Sequence, residues 1–463
     1  MTGFTLKKGQ SGLPTPDSTR SYWHQAPSTI LLGHRTTEKL PPTADVIVIG
    51  SGITGAFAAR ELVHERRGVL LLEAREACWG ATGRNGGHCQ PMVYASKPTI
   101  ARFELETYDF IRDLIARNNI ACDWHTVGGV HGIFDKNVLE AVEQIMERLK
   151  TDHPDLAEKA ILVKDDQGLN TLRVPQAYAA VYQPIAAKLW PYKLVAWVLE
   201  RLLKDFPDTF NLQTKTPVEH LQHSEDGWIV HTSRGQVAAQ HVLLASNAYT
   251  SFLLPKMTGI ITPVRSQLVG LKPPTGDIPL EHTHVWARGR NDDYLIQRND
   301  DGILIFGGER YAASGAEEGI WDDNDVNAQV GRNLRHELGR SLKLRAPGQE
   351  ERTELDAQYE WTGITGYVND GHPWVGSVPT EFGGRKDSKG YGRLWISAGY
   401  SGHGMTAAAR CGVRVAEMIL GKKASFEMPK EFEASEERAE RVRQLDGWRN
   451  MAFVDKLRAL LEE

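Results

Sequence analysis

Several common signals are missing from this chain. Its four cysteines, Cys78, Cys89, Cys122 and Cys411, are scattered through 463 residues with no CxxC pair. That spacing offers neither a disulfide framework nor a zinc site, and it suits a reducing compartment. No apolar run approaches the roughly 20 residues a membrane span needs. Met1–Lys8 lacks the apolar core of a secretory signal, and Leu460–Glu463 is not a peroxisomal address. A cytoplasmic location is the expectation. Charge of one sign is also scarce: 54 basic against 59 acidic residues leave a net charge of −5. Nothing in that balance asks for nucleic acid or an anionic membrane as partner. The length allows two or three domains with substantial cores.

What is present centres on Ala44–Gly55. Asp45–Ile49 is a short, β-branched apolar run that reads as a buried parallel strand. It enters Gly50-Ser51-Gly52-Ile53-Thr54-Gly55, then a helical stretch over 56–65. A second apolar run, Val69–Leu72, ends on Glu73. Strand, GxGxxG, helix, strand and terminal acid, with about 20 residues between glycines and acid, form a dinucleotide-binding fingerprint. Gly50 permits the tight turn, Gly52 admits a pyrophosphate, and Gly55 lets helix and strand pack closely. The helix start, with Ile53 and Thr54, offers free N–H groups to phosphates. Glu73 is expected to take ribose hydroxyls, with Ala74 and Arg75 beside it. No second strand–GxGxxG–helix unit occurs, which disfavours a separate nicotinamide site.

A second glycine cluster follows, Trp79-Gly80-Ala81-Thr82-Gly83-Arg84-Asn85-Gly86-Gly87-His88. Four glycines among nine residues preclude a regular element and suit close approach to a flat or anionic ligand. Here the chain resembles the FAD-dependent oxidoreductases of the D-amino-acid oxidase superfamily, most of all the γ-glutamylputrescine oxidase and glycine or sarcosine oxidase branch. The resemblance implies an α/β fold: a Rossmann-like FAD-binding domain with an inserted α+β substrate domain on a mainly antiparallel sheet. It assigns Thr82 to His88 (Thr82, Gly83, Arg84, Asn85, Gly86, Gly87, His88) to the cofactor. It places Val218 near the adenine, and Ala245 and Asn247 near the pyrophosphate. It also implies that Gly399, Ser401, Gly402, His403, Gly404, Met405 and Thr406, entering the helix 406–420, close the flavin site, where a helix dipole stabilises negative charge on the reduced ring.

Periodicity fills in the organisation. Residues 101–150 read as mainly helical, with Phe103, Thr107, Phe110, Ile111 and Leu114 and then Val138, Val142, Ile145 and Leu149 at helical spacing, and Trp124–Phe134 between them as a strand or hairpin; Trp190–Leu203 reads as an amphipathic helix. Strands are expected at 210–218, 228–232, 237–245, 261–269, 283–287, 294–298 and 303–308, separated by glycine, asparagine and aspartate turns. The domains expected from this are an irregular arm at 1–44; an FAD-binding domain at 45–100, 185–258 and 361–425; a substrate domain at 101–184 and 259–360; and a solvated helical tail at 426–463.

The resemblance implies oxidation of a C–N bond in a small amine or amino acid: hydride passes to flavin N5, an imine forms, and dioxygen returns the flavin to its oxidised state with release of hydrogen peroxide. A dehydrogenase using another electron acceptor, or an enzyme of alkaloid-like amines, is the alternative. Arg84, His88, Arg265 and His403 are the catalytic candidates. Arg84 and His88 are expected to supply positive charge near the redox ring. Arg265 would either take a substrate carboxylate or form a structural ion pair. Arg298 and Arg310 rank lower as anion partners, and Tyr294, Tyr311 and Trp361 are candidate cavity aromatics. His125 and His131 have no partner at metal-ligand spacing, and no metal is expected. Relatives with cysteinyl FAD carry the cysteine in a stretch comparable to 358–371, which here has none. FAD is therefore expected to be non-covalent, with His88 or Cys89 the minor alternatives.

Overall fold

The computed structural model describes residues 6–346, 348–385, 393–445, 447 and 451–462. The terminal residues Met1–Thr5 and Glu463, read above for targeting, lie outside it. Among the described residues, two large sheets of eight strands each and a small third sheet organise the fold.

The first sheet grows from the fingerprint. Strand β1 (Thr43–Ile49) pairs in parallel with β2 (Val69–Leu72) on one side and with the strand Gly235–Leu244 on the other. Phe210–Gln213 extends it in parallel beyond β2, and Leu394–Ala398 beyond Gly235–Leu244. The near-continuous apolar runs are explained by burial on both faces. Val46, Val48, Val69 and Leu71 enter one apolar core, while Ile47, Ile49, Leu70 and Leu72 enter another. Helix α1 (Ile53–His64) covers the first face with Phe57, Ala58 and Leu62. Against it lies the helix Ala408–Ile419, brought close at Gly412, where a Cβ would stand 2.5 Å from the Thr54 carbonyl oxygen. Strands from residues 43–72, 210–244 and 394–398 thus meet in this sheet.

The second sheet runs Ala357–Val368, Ile261–Leu271, Leu304–Gly307, Asn291–Gln297, Thr283–Arg288, Gly129–Ile133, Ala179–Gln183 and Ile161–Val163. Its pairings are antiparallel except that between Thr283–Arg288 and Gly129–Ile133. The fold is thus the mixed α/β arrangement expected, with a mainly antiparallel second sheet. The expected boundary at 361 falls inside a continuous strand, Ala357–Val368, which stays in the antiparallel sheet throughout.

The tail departs from a solvated cap. Helix Phe453–Glu462 buries Leu457 among Val138, Val142, Ile145 and Leu149 of the helix Lys136–Asp152. Arg148 donates to the carbonyls of Leu460 and Leu461 at 3.2 and 3.1 Å, holding its end in place. Among the described residues, no helix is long and apolar enough to cross a membrane.

Candidate functional site

One cavity of about 1110 Å³ runs between the two sheets, from the GxGxxG turn to the antiparallel sheet. That is slightly above the usual range for small-molecule sites of about 300–1,000 Å³. Gly50, Gly52, Ile53, Thr54, Glu73, Ala74, Arg75, Thr82, Arg84, Asn85, Gly86 and His88 line it, as do Val218, Ala245, Asn247, Ser401, Gly402, His403, Gly404, Met405 and Thr406. Gly55, Gly83, Gly87 and Gly399 do not. They pack behind the wall, and Gly55 is the tightest, since a Cβ there would sit 1.9 Å from the Gly50 carbonyl oxygen.

At one end the fingerprint is assembled by hydrogen bonds. Glu73 accepts from the Ser51 amide at 3.0 Å, the Ser51 hydroxyl at 2.6 Å and the Arg75 amide at 2.9 Å. The Thr216 amide donates to the Glu73 carbonyl at 2.8 Å, which brings Val218 to this end. Ala245 joins β1 through its amide, 2.9 Å from the Ile49 carbonyl, and Asn247 receives the Gly399 amide at 3.0 Å. So the turn Ala245-Ser246-Asn247-Ala248 links the two glycine-rich loops physically.

Two helix N-termini face this one cavity, those of Ile53–His64 and Ala408–Ile419. Neither has a side-chain cap or an acidic residue in its first turn. Uncapped N-termini present N–H groups and a positive dipole end. An elongated anionic cofactor fits that pattern: its phosphates at the first helix, its electron-accepting ring at the second.

The far wall is built from strands of the antiparallel sheet. Cross-strand pairing puts Tyr294 opposite Val285 and Gly307, Val285 opposite His131, and Asp292 opposite Ala287. Ser266 faces Gly363, and Thr362 to Tyr367 continue the strand, with Gly363, Thr365 and Tyr367 lining the cavity. Gly86 and Gly307 make room for the Tyr294 ring: a Cβ at either would stand 2.4 Å from it. Tyr294 thus bridges the glycine loop and the sheet, as the candidate aromatic wall requires. Tyr311 and Trp361 are not lining residues, and Trp361 instead donates to the Arg84 carbonyl at 2.9 Å.

The catalytic candidates fare differently. The Arg84 guanidinium turns out of the cavity. Its Nε donates to the Thr362 carbonyl at 2.6 Å, its Nη2 to Thr19, and it pairs with Asp323 at 3.2 Å. Its charge is therefore neutralised inside the arm–body junction and is not offered to a redox ring. His88 does line the cavity, and its Nε2 is buried with no hydrogen-bond partner. Burial first, then the neighbouring His131 and His284, pull its pKa down to about 3, so it is a neutral imidazole at physiological pH rather than a positive charge. Arg265 is absent from the wall and forms a mostly buried ion pair with Glu317, the structural one of its two expected roles. His403 faces the cavity while its amide donates to the Tyr400 carbonyl at 2.8 Å. Burial and then the ammonium of Lys456 lower its pKa. Arg298 is engaged with Asp123 at 3.0 Å and Arg310 with the Tyr311 hydroxyl at 2.7 Å, and neither lines the cavity. Among the described residues no group of histidine, cysteine or carboxylate side chains is arranged to hold a metal ion.

Two lining groups, Lys456 and Glu104, escaped the sequence reading, and a third, His131, was read there only as a histidine without metal-ligand spacing. His131 accepts at Nε2 from Gln183 at 3.1 Å and also contacts Gln90, while Nδ1 lies 3.1 Å from the Tyr94 hydroxyl. Burial holds its pKa near 3. Lys456 reaches the wall from the C-terminal helix. Glu104, inside the helix Pro98–Asn118, accepts from the Met92 amide at 2.7 Å, and burial lifts its pKa to about 7. None sits in a motif, so only the fold brings them together. A carboxyl whose folded pKa lies above its unfolded value of 4.5 favours folding fully below that value and loses the contribution as pH rises to about 7. Glu104→Gln should accordingly flatten the decline in unfolding free energy between those pH values, measured by urea denaturation in a pH series.

A family model described as FAD dependent oxidoreductase (DAO) matches residues 45–418. Gamma-glutamylputrescine oxidoreductase of Escherichia coli is 24% identical over 402 residues, covering 83% of this chain and 85% of that protein. Glycine oxidase of Pseudomonas aeruginosa is 25% identical over 389 residues, covering 81% and 95%. Among solved structures, glycine oxidase from Geobacillus kaustophilus superposes with a TM-score of 0.68 at 20% identity, over 86% of this chain and 99% of that one.

Proposed function

The chain belongs to the DAO family of FAD-dependent oxidoreductases, and from that premise we propose that it oxidises the C–N bond of a small amine or amino acid and passes the electrons to dioxygen. The observation that carries this reading is the single cavity joining the fingerprint end to the Tyr294 wall. When bound, FAD supplies the two-electron chemistry: it accepts hydride from the carbon beside nitrogen and delivers the electrons onward to give hydrogen peroxide.

The chain's own part is to hold, orient and keep dry. The amides of the GxGxxG turn and the start of α1 would hold the phosphates, with Glu73 on the ribose. The 401–406 turn and the helix after it would stabilise negative charge on the ring. Tyr294, Tyr367, Leu268 and Ile133 exclude water from the space facing it, where an amine must lose its proton and its shell before reacting. His88 and His131, both neutral, add no positive charge of their own to that space. No protein base is required once the free amine is bound, and placement supplies much of the rate.

The test is oxygen uptake and peroxide formation by the FAD-loaded protein across a panel of amines and amino acids. Peroxide equal to oxygen consumed supports an oxidase, whereas reduction of the flavin by amine with no oxygen uptake would move the reading to a dehydrogenase. The link to FAD is proposed to be non-covalent: Cys89 is buried with its Sγ directed to the Met405 carbonyl at 3.8 Å, and Arg84 occupies the loop position where the resemblance implies a histidyl link. Acid precipitation should leave all yellow colour in the supernatant. Flavin kept in the pellet would assign the link to His88 or Cys89.

A further inference from the structure

Helix Phe453–Glu462 lies beyond the stretch 45–418 that the family model matches, yet it closes one side of the shared cavity. Helical spacing divides it into three stripes. Val454, Leu457 and Leu461 pack into the core over the helix Lys136–Asp152. Asp455, Arg458 and Glu462 face solvent. Phe453, Lys456 and Leu460 form the third stripe, and all three line the cavity, with Ala459 beside them. A helix that merely capped the surface would have one apolar face; this one has a second, turned to the cavity.

That second face is continuous with the body of the protein. Phe453 packs against an apolar cluster that includes Tyr94, Ile133 and Val138, and these three side chains also belong to the cavity lining. Hydrocarbon from the tail and from the inserted domain thus meets on one side of the cavity. The polar groups among it are engaged by the protein itself. The Lys456 ammonium pairs with Asp292 at 3.8 Å, and its stem adds methylenes to the wall. The Tyr94 hydroxyl lies 3.1 Å from His131 Nδ1. Lys456 is also close enough to His403 to lower that imidazole's pKa, which sets this apolar wall beside the 401–406 turn. A hydrocarbon group placed against such a wall gains about fourfold in affinity for each methylene removed from water.

Resting on the amine-oxidation reading above, we propose that Phe453 and Leu460, with Tyr94, Ile133 and Val138, form a specificity pocket for an alkyl or aryl substituent of the amine substrate, so that the preferred substrates are amines bearing a hydrocarbon group. The C-terminal helix then selects the substrate, while the stretch shared with the family supplies the groove for the cofactor.

The experiment titrates the FAD-loaded full chain with propionamide, butyramide, pentanamide and hexanamide, and follows the perturbation of the flavin absorbance spectrum. Affinity should climb roughly fourfold per methylene. Phe453→Ser and Leu460→Ser should each weaken hexanamide at least tenfold and leave propionamide within twofold, whereas Phe453→Leu should keep most of the climb. Ala459→Trp, which fills the pocket, should exclude hexanamide and still admit propionamide, a selective loss that unfolding cannot produce. Arg458→Ala, on the solvent stripe, should match the wild type throughout. Affinity that does not rise with chain length would overturn the proposal, as would a climb unchanged in Phe453→Ser and Leu460→Ser. Because amides are bound without turnover, these outcomes are separate from the amine reading, which fails if no amine in a panel reduces the flavin. Retained FAD in each variant, measured by gel filtration, guards against a folding defect.

Discussion

Asp323→Ala is expected to be the most destabilising single substitution in the chain. Asp323 is fully buried and serves two buried guanidiniums at once, Arg75 at 2.9 and 3.0 Å and Arg84 at 3.2 Å. Its backbone carbonyl also receives the Thr19 amide at 2.8 Å, so the N-terminal arm is tied in at the same point. Removing one partner of a buried pair leaves an uncompensated charge and costs about 3–5 kcal/mol. Here two cations are stranded, and their mutual repulsion adds to the cost. Urea unfolding followed by tryptophan fluorescence should show the midpoint fall. The arm contributes Leu13 and Pro14 to the cavity wall, so FAD should also dissociate faster. A shift below about 1 kcal/mol, the scale of an exposed pair, would show that the cluster is not the keystone described here.

The second large effect is expected at Gly55. A methyl group there would lie 1.9 Å from the Gly50 carbonyl oxygen, which belongs to rigid backbone and not to a mobile side chain. Gly50 itself has φ +108° and its Cβ position is blocked by the Ala245 carbonyl at 2.6 Å, so the turn has nowhere to retreat. Gly55→Ala must open the turn and shift the amides of Gly50–Gly52. Overpacking costs about 1–3 kcal/mol, which corresponds to a loss of FAD affinity of roughly tenfold to hundredfold if the strain is relieved in the apo state. Gly68→Ala is the matched control, since its nearest neighbour would be Asp45 Oδ2 at an ordinary 3.4 Å. FAD titration by quenching of flavin fluorescence compares the two. Equal affinities would contradict the placement of the phosphates at this turn.

The fingerprint end of the cavity was legible in the sequence because its signals are carried by backbone. Glycine spacing, a β-branched strand and a terminal acid leave a local trace, and Gly50, Gly52 and Glu73 fall on the cavity as read. The same holds for the 401–406 turn. Side-chain roles at the other end were not legible. Arg84 sits in a glycine loop that looks made for the ring, but its partner, Asp323, is 239 residues away, and nothing local announces the pair. Arg265 found Glu317 in the same manner. Lys456 belongs to a charged amphipathic tail whose pattern reads as a solvated surface, and only the docking of Leu457 turns it inward. His88 has the right residue type in the right loop, but its charge state depends on burial that no motif records. Local motifs therefore marked residues that line the cavity, while long-range pairing decided where the charged side chains are held.

The most direct check on the account is anaerobic. Protein loaded with FAD and freed of excess cofactor by gel filtration is mixed with amines and amino acids in the absence of oxygen, and the flavin absorbance is recorded. At least one amine should bleach the flavin fully, and admitting air should restore the colour with release of hydrogen peroxide. A protein that holds FAD and is bleached by dithionite, but by no amine or amino acid, would contradict it.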